Sequence, residues 1–194
     1  MVSPTLWGPV TWQVLFACTW HCKKRQFTKL QRLVHCVNRL LPCAKCRDHV
    51  LQNEARVTRR AKGVPDEPMK MFYWLYCLKD EVNKQLKQHS LPFSELTDRF
   101  VYHGALIDDV RVADVLLAFA TVSVELGREE EYVDLCGLLA HLLPVPSDSE
   151  LVRRLPKVSA NTVFEDTLRI ARAARVERGF PPQNAAHYRA MLRE

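Results

Sequence analysis

Between residues 28 and 41 the apolar side chains fall on Leu30, Leu33, Val34, Val37, Leu40 and Leu41, at steps of three, one, three, three and one. That rhythm lines one face of an α-helix and has no period of two. Pro42 cuts the helix, and Cys43 and Cys46 follow at once in "LPCAKC". Proline is well tolerated in a first helical turn, so a new helix is expected to start near Pro42 or Cys43 and to run to about Arg60. The chain must therefore place a close cysteine pair at a corner between two helices.

The same spacing recurs along the rest of the sequence. A first helix is expected over about residues 9–22, with Val10, Val14, Ala17 and Cys18 on one stripe. Gly63, Pro65 and Pro68 break the chain, and a fourth helix follows over about 69–88, burying Phe72, Leu75, Cys77 or Leu78, Val82 and Leu86. "HSLPFSELTDRF" reads as a turn into a short fifth helix. Further helices are expected over about 108–126, 129–143, 162–178 and 184–192, with "PVPSDSE" as a linker. No convincing run of alternating β-branched residues and no fixed-period repeat appears. The expected fold is all-α: a compact bundle over 1–105 and a second helical segment over 106–194.

With 47% apolar residues the chain has ample material for a core. No apolar run approaches the roughly 18–20 residues that cross a bilayer. The start "MVSPTLWGPVTW" lacks the charged and apolar regions of a signal peptide, and none is expected. The net charge of +6 is uneven: twelve Lys or Arg residues lie between Lys23 and Lys62, against Asp48 and Glu54 alone. This asymmetry suits either an anionic partner or a solvated helical surface. No aromatic interleaving or known nucleic-acid module accompanies it, so nucleic acid is not an expected partner. Seven cysteines, an odd number at irregular spacing, argue against the disulfide framework of a small secreted domain.

Three chemistries are open to the close pair. Zinc would take Cys43, Cys46 and His49, but a closed structural site needs a fourth ligand, and no second paired cluster exists; no metal is expected. Two inert core thiols would sit poorly beside Lys45 and Arg47. A redox pair has a physical basis: a first-turn cysteine meets unpaired N–H groups and the positive helix end, and Lys45 and Arg47 add charge that favours thiolate. A thioredoxin-like setting is not expected after a helix, because that motif follows a strand. Such a pair needs an acceptor for its two electrons, and a flavin is the natural one.

"WGPVTWQVL" (7–15), "LPCAKC" (41–46) and "WLYCLKDEVNKQL" (74–86) together resemble, in order and spacing, the Erv/ALR family of FAD-dependent sulfhydryl oxidases. The resemblance covers about residues 5–100. It implies a four-helix bundle of Erv/ALR type with a fifth short helix, FAD at its mouth, oxygen as acceptor, hydrogen peroxide as product, and frequent dimerisation. It further implies that Cys46 lies against the isoalloxazine while Cys43, the outer sulfur, exchanges with substrate thiols. Gly8 and Trp12 match cofactor-site positions, with Trp12 packing on the flavin. Val82, Asn83 and Lys84 match positions near the adenine and ribose-phosphate, and Arg99 with Phe100 a basic-aromatic pair closing the site.

The sequence also departs from the family pattern. Phe16 replaces the His of a Leu-His pair, and Lys79-Asp80 replaces a His-Asn; both places touch FAD in the family. An aromatic at Phe16 can still stack, and Lys79 could meet a phosphate or hold Asp80. The stretch after the fourth helix, "SLPFSELTDRF", has no cysteine for the family's long-range disulfide, and no tail CxxC or CxC serves as shuttle. A small dithiol relay protein is therefore expected between this chain and its thiol-bearing substrates. Short, shuttle-less forms resemble those encoded by large DNA viruses, which implies the cytoplasm or nucleus of an infected cell, or the virion; the extension past 106 is similar to a degenerate second module of some of them. Taken singly, Trp7, Trp12 and Trp74 read equally as core aromatics and Lys79 as a solvated residue. Cys18 and Cys22 read as buried thiols, Cys36 and Cys77 as core, and Cys136 as the best candidate for an additional exchanging thiol. The rival functions are a zinc-clipped helical interaction protein and an Erv-like scaffold that has lost its flavin.

Overall fold

A computed structural model describes residues 4–103, 107–145, 149–182 and 186. Among them there are nine α-helices and no strand. The first five are α1 (Pro4–Trp20), α2 (Phe27–Leu40), α3 (Ala44–Arg60), α4 (Pro68–Gln85) and α5 (Phe93–His103). The rest are α6 (Asp109–Leu126), α7 (Glu129–Leu142), the single turn α8 (Glu150–Arg154) and α9 (Val163–Glu177). The all-α architecture is the one expected.

Local chemistry sets the boundaries. The Asp108 carboxylate caps α6 by accepting from the N–H groups of Val110 and Arg111, at 3.0 and 3.3 Å. Gly127, at φ 61°, ends that helix in the left-handed conformation that glycine adopts without strain. Pro68 opens α4 in the position where its missing N–H costs nothing. Helix α1 begins before the expected start near Pro9, because this proline sits inside the helix. α8, too short to show a period, begins at Glu150, where the expected linker ends. The last expected helix, over 184–192, lies outside the described residues, which beyond Pro182 include only residue 186.

α1 packs on α4 and α6, α3 on α4, α2 on α7, and α6 on α9. One continuous core results, running from Trp7, Leu30 and Phe72 to Phe119, Leu135 and Ile170. Trp7 meets Phe119 edge-on with ring centroids 6.4 Å apart, joining α1 to α6. Leu86, expected in the core, is instead 57% exposed, because α4 ends at Gln85 and the chain turns away there.

Part of the basic surface has an internal partner. Arg32 pairs with Asp134 at 2.7 Å and Arg39 with Glu131 at 2.7 Å, which ties α2 to the acidic face of α7. Both pairs are largely exposed, so each contributes less than about 1 kcal/mol. The docking force is the burial of Tyr132, Leu135, Cys136, Leu138, Leu139 and Leu142 along α7. Among the described residues no helix is long and apolar enough to cross a membrane.

Candidate redox site

The site is built at the α2–α3 corner. Leu41 leaves the helical conformation as the C-terminal cap of α2 (φ −49°, ψ 129°), and Cys43 takes an extended one (φ −136°, ψ 114°) as the N-terminal cap of α3. Cys46 then falls in the first turn of α3. Its N–H donates to both the carbonyl oxygen of Cys43 (3.0 Å) and its Sγ (3.2 Å). The two α-carbons stand 5.1 Å apart, within the span a disulfide bridges, and the sulfurs are bonded. Helix α3 thus directs its unpaired N–H groups and positive end at the pair. Cys43 is only 5% exposed, whereas Cys46 is half-buried, an order opposite to that expected of an outer and an inner sulfur. Lys45 is exposed, and the half-buried Arg47 folds back to donate to the Leu41 carbonyl.

A second feature is a cluster of rings contributed by α1, α4 and α5. Phe16 lies 5.1 Å from Phe72, 6.2 Å from Trp12 and 6.4 Å from Phe100, centroid to centroid. Trp20 adds contacts to Phe72 at 5.3 Å and Phe100 at 5.7 Å. Phe16 is 2% exposed; Trp12, Trp20 and Phe100 are half-buried at the edge of the cluster. Lys79 places its ammonium 5.7 Å from the Phe16 ring centre, so two departures from the family pattern meet in space. Burial, and then the charge of Arg99, push the Lys79 amine down; no carboxylate pairs with it among the described residues.

Asp80 is not held by Lys79. It is held by Arg60 and by Lys84, the latter at 2.9 Å. Burial pushes its carboxyl up, but hydrogen bonds from Ser90, Arg60 and Lys84 outweigh this and bring it down to about 2. Stability from this group is thus fully present above the ordinary carboxylate range and is lost as the pH falls towards about 2. In urea denaturation from neutral pH downward, the wild type is expected to lose its advantage over Asp80→Asn across that acid window; an advantage unchanged by acid would contradict the assignment.

The remaining expected residues divide. Gly8 is half-buried, with open space where a side chain would stand. Val82 is half-buried, and the Asn83 amide donates to Ser90 Oγ at 3.2 Å and the His89 carbonyl at 3.4 Å. Lys84 is occupied by Asp80 and Glu81. Arg99 pairs with Glu95 at 3.0 Å. Trp7 and Trp74 are core residues, Trp74 donating to Thr58 Oγ1 at 3.1 Å. A small cleft between α4 and α5 is lined by Tyr76, Lys79, Asp80, Asn83, Ser90, Leu91 and Leu96. Cys136, the best candidate in the sequence for an extra exchanging thiol, is wholly buried, and burial pushes it up to about 12, which disfavours the thiolate that exchange needs. Cys36 is likewise pushed up to about 12 by burial and then by the charge of Asp134, and burial raises the fully buried Cys18 further.

Sequence reasoning missed Trp20 and Arg60. Trp20 had a signal, since it lies one turn beyond Phe16 on the same stripe. Arg60 had none, because its pairing with Asp80 crosses between helices. Among the described residues no group of His, Cys, Asp and Glu is placed to hold a metal ion, so the zinc clip lacks its ligand set.

Corner disulfide and ring cluster together define a class: helical-bundle proteins that present a vicinal cysteine pair at a helix N-terminus. Residues 9–101, just under half of the chain, match the Erv1 / Alr family, so α2 to α5 and most of α1 are similar to that family. No curated protein and no solved structure matches the chain.

Proposed function

We propose that the chain is an FAD-dependent sulfhydryl oxidase that makes disulfides in other proteins. The observation that carries this is the Cys43–Cys46 disulfide at the start of α3, inside the segment similar to a sulfhydryl oxidase family. A substrate thiolate attacks the Cys43 sulfur, which is only 5% exposed and must first be uncovered, and the S–S bond breaks with Cys46 leaving as thiolate. The positive end of α3 favours that leaving group. A second substrate thiolate then attacks the substrate sulfur of the mixed disulfide and displaces Cys43. The substrate is oxidised to its disulfide, and two electrons now reside in the reduced pair.

The donor set fits the cofactor in kind. Half-buried Trp12 and Phe100 offer ring faces, and the unneutralised Lys79 with Arg99 offers cations to an anionic dinucleotide. Gly8, Phe16, Val82 and Asn83 are the further positions that the resemblance assigns to the cofactor, and Lys84 pairs with Asp80 and Glu81. When bound, FAD supplies a two-electron acceptor that oxygen regenerates, giving hydrogen peroxide. The proposed partners are thiol-bearing proteins, reached through a small dithiol relay protein, and a second copy of the chain. The second copy must use a face other than that of α2 covered by α7. A viral origin, with action in the cytoplasm or nucleus of an infected cell or in the virion, remains part of this proposal.

The purified protein is expected to be yellow, with a flavin spectrum, and to consume oxygen when dithiothreitol is added. A colourless, metal-free protein with an intact Cys43–Cys46 bond would instead establish a scaffold without flavin; a colourless one with stoichiometric zinc would establish the interaction-protein rival.

A further inference from the structure

We propose that Arg47 is a positioning residue that sets the redox poise of the Cys43–Cys46 pair. The inference rests on the pair cycling between disulfide and dithiol, as proposed above. Carbonyl groups at the end of a helix lack intrahelical partners, and Pro42 has no N–H to offer them. The Arg47 guanidinium donates to one of these, the carbonyl of Leu41, at the negative end of α2. Its backbone N–H donates to the carbonyl of Cys43 at 3.1 Å. One residue in the first turns of α3 therefore grips the chain on both sides of Pro42, over a stretch (Leu41 to Cys43) that is buried.

The consequence differs between the two redox states. In the oxidised state the S–S bond already holds Cys43 against Cys46, so the strap is nearly redundant. Once the bond opens, Arg47 is what keeps Cys43 in the capping conformation. There the N–H of Cys46, 3.2 Å from the sulfur, favours the thiolate. Arg47 thus stabilises the dithiol state selectively, which makes the pair a stronger oxidant.

Glutathione exchange reads this directly, without flavin or oxygen. Two glutathione molecules supply two electrons and join as their disulfide; the Cys43–Cys46 bond breaks, one sulfur ends as thiolate and the other as thiol, and one proton passes to the buffer. The full chain is equilibrated in graded glutathione buffers, and the reduced fraction is trapped by alkylation and counted by mass spectrometry. Arg47→Met keeps the apolar stem and removes the donors. It is expected to favour the disulfide by about tenfold in the exchange constant, a potential lower by about 30 mV. Circular dichroism of its oxidised form is expected to stay that of the wild type. Arg47→Lys, which retains charge and one donor, is expected to shift the same way by less. An Arg47→Met midpoint equal to the wild type's, or a Lys variant more oxidising than the wild type, would overturn the role of Arg47. A wild-type pair that does not titrate at all would overturn the redox function itself.

Discussion

Replacing Cys46 by serine is expected to bring thiol oxidation down to background while the protein stays folded and retains its flavin. Serine preserves size and the first turn of α3, and it removes the sulfur to which Cys43 is bonded. The substrate's thiolate then meets a lone thiol, which carries no oxidising equivalents. The structural cost is small by comparison. Closing a loop with a sequence separation of only 3 constrains the unfolded chain little. By the chain-entropy argument the lost bond is worth about 2 kcal/mol. Oxygen uptake with dithiothreitol and the visible spectrum of the variant check both halves together. Undiminished uptake would remove the pair from the mechanism.

The second large effect is on stability. Phe72 is fully buried at the centre of the ring cluster, touching Phe16 from α1, Trp20 from α1, and Phe93 and Phe100 from α5. Truncation to alanine removes an aromatic payload from the place where three helices meet and leaves a cavity that the flanking rings close only partly. Phe72→Ala is expected to destabilise the fold by about 3–5 kcal/mol in chemical denaturation. The flavin content of what remains folded is expected to fall too, because Phe16 and Phe100 lose the ring that fixes their orientation. A cost under about 1 kcal/mol would mean that this cluster is not a packed core.

What the sequence disclosed follows from how local each signal is. The α2 stripe and its stop at Pro42 are local, and that helix lies within a residue or so of its expected bounds. The setting of Cys43 and Cys46 at a helix start is equally local. Pro9 misled because a missing N–H marks a helix start more often than a helix interior, yet α1 carries it inside. Leu86 misled because periodicity continues past the residue at which the backbone turns. The burial of Cys136 depends on how α7 packs against α2 and α6, which no pattern within α7 announces. The meeting of Lys79 with Phe16, and the capture of Asp80 by Arg60, join residues far apart in the chain. Motif comparison flagged these positions only as departures; the fold supplies their partners.

The most direct test is a stoichiometric one on a reduced protein substrate, following oxygen uptake, peroxide and new disulfides together in the presence of the purified chain. The account predicts one oxygen consumed and one hydrogen peroxide formed for each disulfide made, with all three absent when Cys43 and Cys46 are blocked. Oxygen uptake that survives blocking both sulfurs, or no disulfide formation by a chain with its flavin bound, would contradict it.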